Sequence, residues 1–152
     1  MDNLRLKKYA ELLAKTGINV QKGEEVWINA QLDQPEFVRM VVEELYKAGA
    51  AIVNVRWADN GVTKLNYRYR TVSNLGKVPS YELQRWKYQK KKMPSVLHII
   101  SDDPDAFKGI NQAKIAKARM KSYPKIKPFR DMMDGHYKWC IAAVPGKAWA
   151  HK

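Results

Sequence analysis

Short apolar runs alternate with amphipathic stretches along almost the whole chain. Leu6, Tyr9, Ala10 and Leu13 recur at helical spacing and predict an opening helix, with Gly17 placed to end it in a left-handed cap. EEVWINAQ follows Gly23; Trp27 interrupts the alternation of Val26, Ile28 and Ala30, which predicts a strand at 25 to 30 covered on both faces. Asp33-Gln-Pro-Glu36 reads as a helix start in which Asp33 caps the free backbone donors and Glu36 completes a capping box. Phe37, Val38, Val41, Val42 and Leu45 form the buried stripe of that helix, and Gly49 stops it.

AIVNVRW predicts a second strand at 51 to 57, and Asp59-Asn60-Gly61 a turn. VTKLNYRYR begins another helix. A basic helix runs from Val78-Pro79-Ser80 through Trp86 and Lys92 to Pro94. SVLHIIS predicts the third strand at 95 to 101. Residues 111 to 122 and 124 to 133 read as two helices meeting at Pro124, and YKWCIAAV as the fourth strand at 137 to 144. Strands alternating with helices imply crossover connections. The expected fold is therefore α/β, one doubly wound domain over residues 1–152, with a mostly parallel sheet of about four strands and helices on both faces. No internal repeat or low-complexity linker interrupts it. Pro145-Gly-Lys-Ala-Trp149-Ala starts a further helix as the chain stops, and the expectation is that the protein continues.

Composition changes this picture in one respect. Lys and Arg number 28 against 15 Asp and Glu, a net charge of +13. Such an excess bears on solubility and partners rather than on fold. Cys140, alone of its kind, cannot form an internal disulfide and sits in an apolar run, as a small buried hydrophobe does. MDNLRLKKY lacks the apolar stretch of a signal peptide, and no segment approaches the ~20 apolar residues of a membrane span. The cytoplasm, with no membrane partner, is the expected compartment.

The candidate chemistry is sparse. His98, His136 and His151 are far apart, with no H-E-x-x-H pair and no Cys/His cluster, so no metal site is expected among them. His98 reads as a satisfied core histidine. Open α/β sheets bind ligands at the carboxyl ends of their strands, which here are Asn29-Ala-Gln31, Trp57-Ala-Asp59, Ser101-Asp-Asp103 and Val144-Pro-Gly146. None is a phosphate-binding glycine loop. Asp102 and Asp103 could act as an acid–base pair or hold a divalent cation, but Asp103 also suits the cap of the turn at Pro104. Arg85-Trp86-Lys87-Tyr88-Gln-Lys90-Lys91-Lys92 interleaves cations with aromatics, as RNA-binding surfaces do, though such a face is also an ordinary way to solvate a helix.

Three stretches carry a resemblance. LKKYAELLAKTGINVQKGEEVWINA resembles the opening helix and first strand of the thermophilic-type metallo-aminopeptidases, the family of aminopeptidase T and the PepS-type enzymes. SDDPDAFKGINQAKIAKARMKSYPKIKPFRDMM is similar to that family's "DDP … G … K-A … P-F-R" segment in order and spacing, and YKWCIAAVPGKAWAHK to its "W-x-I-A-A-x-P-x-x-A-W-A-K" signature. The likeness covers nearly the whole chain and departs chiefly at 85 to 92, where the family's acidic helices are basic.

The resemblance implies the N-terminal domain of a two-domain enzyme more than twice this length. The whole enzyme would remove N-terminal residues from peptides with two divalent metal ions, cobalt, zinc or similar, and would be a homodimer. Glu, His and Asp ligands, a second Glu as general base, and a nearby Tyr and His would lie in a C-terminal domain absent here. No catalytic or metal residue is therefore carried over. This domain's implied part is to wall the cleft, limit access to short peptides and contribute to the dimer's internal cavity, with Trp57, Asp59, Ser101 and Asp102 as the candidate cleft-facing residues. The alternative is a freestanding basic module for RNA or another polyanion; within the aminopeptidase reading, nucleic-acid binding is expected to be only weak and non-specific.

Overall fold

The computed structural model describes residues 2–151. They form two compact units. One comprises the residues up to Asp59, Pro94–Pro104 and those from Lys138 on; the other comprises Asn60–Met93 and Asp105–Tyr137.

The first unit is built on a sheet of β1 (Glu25–Gln31), β2 (Ile52–Ala58), β3 (Ser95–Ile100) and β4 (Trp139–Ala143), ordered β2-β1-β3-β4 and parallel throughout. This is the α/β architecture that the alternation of runs predicts. Trp27 and Val96, on the face opposite Val26, Ile28 and Leu97, are 7% and 2% exposed, so the central strands are buried on both faces. Helices α1 (Asn3–Leu12) and α2 (Pro35–Lys47) pack on one face of the sheet. Ala10, Leu13, Phe37, Val38, Val41 and Leu45 meet Val26, Ile28, Leu97 and Ile99 there, and Tyr9 stacks on Phe37 with ring centroids 5.5 Å apart. Each large side chain so buried contributes roughly 1.5–3 kcal/mol.

Two local expectations differ from the structure. Gly17 takes no left-handed conformation. Helix α1 instead widens into a π-turn (Leu13–Gly17), with Ile18 N–H donating to Leu13 O at 2.8 Å. Gly17 sits in a tight space, where a Cβ would lie 3.1 Å from Cys140 Sγ, and the positive φ falls on Asn19 instead. Asp33 does not cap α2, whose N-cap is Gln34 without a side-chain hydrogen bond; Pro35 lacks an N–H, so one fewer donor needs a cap. Gly49 ends α2 as expected, at φ 116.

The second unit is made of the connections from β2 to β3 and from β3 to β4. It contains α3 (Asn60–Tyr69), α4 (Val72–Leu75), α5 (Ser80–Lys92) and α6 (Gln112–Met133). Asn60 and Gly61, read above as a turn, are the first turn of α3; short polar residues suit a helix start as well as a turn. Thr71 caps α4, accepting from Asn74 N–H at 3.1 Å, and Asn111 caps α6, accepting from Lys114 N–H at 3.1 Å. Helix α5 stops at Met93, left-handed at φ 47 before Pro94.

The two helices expected to meet at Pro124 are one. Helix α6 runs 22 residues through both Pro124 and Pro128. Each proline removes a donor to the carbonyl four residues back. Met120, Pro124 and Pro128 fall on one exposed stripe, so the carbonyls that lose an N–H partner lie on the side open to solvent. The opposite side carries the buried Ile115, Ala118 and Met133. Tyr67 meets Phe107 edge-on at 5.3 Å, and Lys114 Nζ donates to Arg68 O at 3.1 Å. No residue of α5 is fully buried, and Trp86 packs only partway. Among the described residues, no helix is long and apolar enough to cross a membrane.

Candidate functional site

The strand order makes β1 a switch point. Its own crossover leads to β2 on one side, while β3 lies on the other. Parallel sheets open a crevice at the carboxyl ends of such strands. Here a cleft of about 250 Å³ opens there, lined by Asn29, Ala30 and Gln31 of β1, Arg56, Trp57 and Ala58 of β2, His98, Ile99 and Ile100 of β3, and Asp102.

Register explains why three polar side chains converge. Asn29 pairs with Arg56 on one side and with His98 on the other. Partners in a parallel sheet point to the same face, so a guanidinium, an amide and an imidazole stand in one row. Asn29 Nδ2 lies 3.4 Å from His98 Nδ1, within hydrogen-bond reach. Burial holds the His98 imidazole below the usual histidine range, so it is neutral at pH 7. Two positions further along β1, Gln31 Nε2 donates to Asp102 Oδ1 at 2.7 Å. The cleft thus presents donors from the strand row and, from the segment just beyond β3, a carboxylate, an arrangement that suits a small polar ligand carrying both kinds of group.

Of the four residues expected at this edge, Trp57 and Asp102 line the cleft. Ser101 does not: it is buried, and its hydroxyl donates to Asp33 Oδ1 at 2.5 Å. Asp59 lies just past β2, outside the lining. Asn29, Gln31, Arg56 and His98 complete the site. The first two stand in a strand-end segment marked above; His98 reads from sequence as core, and Arg56 has no signal of its own. Strand order brings them together, and a single sequence does not carry strand order.

Gly146, at the end of β4, closes this edge. A Cβ there would collide with Asp33 Oδ2 and lie 3.1 Å from the Ser101 carbonyl. The loops after β1, β3 and β4 are therefore locked through one carboxylate, one buried hydroxyl and one glycine. Among the described residues, no three His, Cys, Asp or Glu side chains lie close enough to share a metal ion.

The comparisons with known proteins agree with one another. The thermophilic metalloprotease family (M29) matches residues 2–152. Aminopeptidase PepS of Streptococcus thermophilus is 33% identical over 148 residues, which cover 97% of this chain and 36% of that protein. Aminopeptidase AmpS of Bacillus subtilis (strain 168) is 31% identical over 149 residues, with the same two shares. The solved structure of wild-type AmpT from Thermus thermophilus superposes with a TM-score of 0.86 at 25% identity, over 97% of this chain and 38% of that one. The chain spans about 36% of the length of the curated relatives it matches. With the family matched along the chain and the same fold in a solved relative, this chain belongs to the thermophilic metalloprotease family M29.

Proposed function

We propose that this chain is the N-terminal domain of a two-metal aminopeptidase that removes N-terminal residues from peptides, and that by itself it is inactive. The observation that carries the reading is the family match along residues 2–152, at about a third of the relatives' length. Among the described residues the donor set does not fit a metal centre, since no three ligating side chains converge. In this reading the two divalent ions, cobalt, zinc or similar, are held outside these residues, by the C-terminal domain.

The part assigned to this domain is to shape the cleft. The row of Arg56, Asn29 and His98 offers hydrogen-bond donors to carbonyl or carboxylate oxygens of a short peptide. Asp102, oriented by Gln31, offers an acceptor to a peptide N–H or an ammonium group. Trp57 and Asp102 face the active site; Ser101 acts behind them, by holding the loop after β3. The whole enzyme is a homodimer, in which this domain contributes to an internal cavity.

The test has two arms. The purified chain is assayed on amino-acid anilides with and without added cobalt or zinc; no turnover is expected. The chain is then exchanged for the corresponding part of the Streptococcus thermophilus PepS. Metal-dependent activity should return, with KM raised by Asp102→Ala. Turnover by the chain alone would overturn the assignment of chemistry to the other domain. A folded but inactive chimera would overturn the aminopeptidase reading.

A further inference from the structure

The chain's charge is not spread evenly. The first unit contains 11 Lys and Arg and 11 Asp and Glu, a net of zero. The second contains 17 Lys and Arg against 4 Asp and Glu, so it carries the whole net charge of +13. Ordinary solvation of helix faces mixes both signs, as the first unit does. Concentrating one sign in the helices of a small unit costs self-repulsion and produces a field that attracts polyanions. However its carboxylates pair, the second unit retains 13 cations in excess.

The arrangement of these cations is repetitive. Lys117, Lys121 and Lys125 recur every four residues along the exposed side of α6. Each step advances about 6 Å along the helix axis, comparable with the step between phosphates of an extended single strand. Aromatic groups stand among the cations of this unit. Tyr123 is exposed between Arg119 and Lys127, on the far side of the Met120, Pro124 and Pro128 stripe from the lysine row, and Tyr69, Tyr81 and Tyr88 are exposed elsewhere in the same unit. An acidic polypeptide would be held by the cations alone. Exposed rings set among cations also supply faces on which unpaired bases stack.

We propose that the second unit binds single-stranded nucleic acid, through its phosphates and by base stacking, without reading sequence. This goes beyond the aminopeptidase reading and needs no hydrolysis.

The test is fluorescence anisotropy of a labelled oligouridylate titrated with the full chain at about 50 to 200 mM salt. Parallel titrations use a duplex of equal length and polyglutamate as competitor. The oligouridylate should bind more tightly than the duplex and resist polyglutamate. Arg119→Gln/Lys127→Gln, removing the cations that flank Tyr123, should flatten the slope of log K against log salt by about 1.4. Tyr123→Ala should weaken binding about tenfold and leave the slope unchanged, while Tyr123→Phe keeps the affinity. Lys7→Gln/Lys8→Gln, in the neutral unit, should change neither. Circular dichroism checks each variant, and Tyr81→Ala replaces Tyr123→Ala if that variant misfolds. Absence of binding at the lowest salt would overturn the proposal. So would equal affinity for the duplex with no loss in either tyrosine variant. Displacement by polyglutamate at equal charge concentration would reassign the surface to an acidic polypeptide.

Discussion

Ser101 donates its hydroxyl hydrogen to Asp33 across the carboxyl edge of the sheet, 68 residues away in sequence. Ser101 is 3% exposed, so water cannot replace this partner. Removing the hydroxyl and removing its acceptor should therefore differ. Ser101→Ala deletes donor and demand together and should cost about 1 kcal/mol; Asp33→Ala strands a buried hydroxyl and should cost roughly 1–3 kcal/mol. Urea unfolding of the two single variants and the double variant measures the coupling. Strictly additive effects would show that the contact contributes nothing to stability.

Gly146→Ala places a methyl group against Asp33 Oδ2 and the Ser101 carbonyl. The backbone side of that contact cannot rotate away, so a loss of about 1–3 kcal/mol is expected. Shortening the acid relieves half of the clash. In the Asp33→Ser background the same alanine should therefore cost less. The comparison is of unfolding midpoints among the four chains, and an equal cost in both backgrounds would count against Asp33 as the obstructing group.

His98 gives the fold a pH dependence of known sign. Its folded pKa is held below the ordinary histidine value of 6.5 by burial. Above that value both states are neutral and the stability is fully present. As pH falls below it, the unfolded chain takes up a proton that the fold resists, and stability declines until the folded pKa is passed. His98→Gln should flatten stability against pH between about 7 and 5 relative to the parent chain. The readout is urea unfolding at a series of pH values. A variant as steep as the parent in that window would place the titration elsewhere.

Much of the fold is legible in single residues. Val26, Ile28 and Ala30 alternate around a buried Trp27, and that pattern belongs to a strand covered on both sides. The stripe of Phe37, Val38, Val41 and Leu45 is legible for the same reason: burial and periodicity are local properties of the chain. Asp33 shows where local reasoning stops. Its position before Gln34-Pro35 suits a helix cap, yet its oxygens meet Ser101 and the space beside Gly146, partners contributed by other loops. Helix α6 makes the same point with Pro124. The residue alone argues for a break, while the exposure of its stripe decides that the helix can run through. In the site, strand-end position points to Trp57 and Asp102, but the row of Arg56, Asn29 and His98 exists only once β1 is known to lie between β2 and β3.

That central placement of β1 also orders the steps of folding. Strands β1 and β2 join across one short connection built on α2, so their pairing closes a small loop. Asn29 and His98, facing each other across β1 and β3, are 69 residues apart, and the intervening chain includes the first half of the helical unit. Closing that loop costs more entropy, and contacts of such separation form slowly. The segment from β1 to β2 is thus the natural nucleus, with an unpaired edge of β1 waiting for β3. Until β3 arrives, that edge can recruit a strand from another molecule, which makes the interval before β3 docks the moment when this chain is most exposed to aggregation.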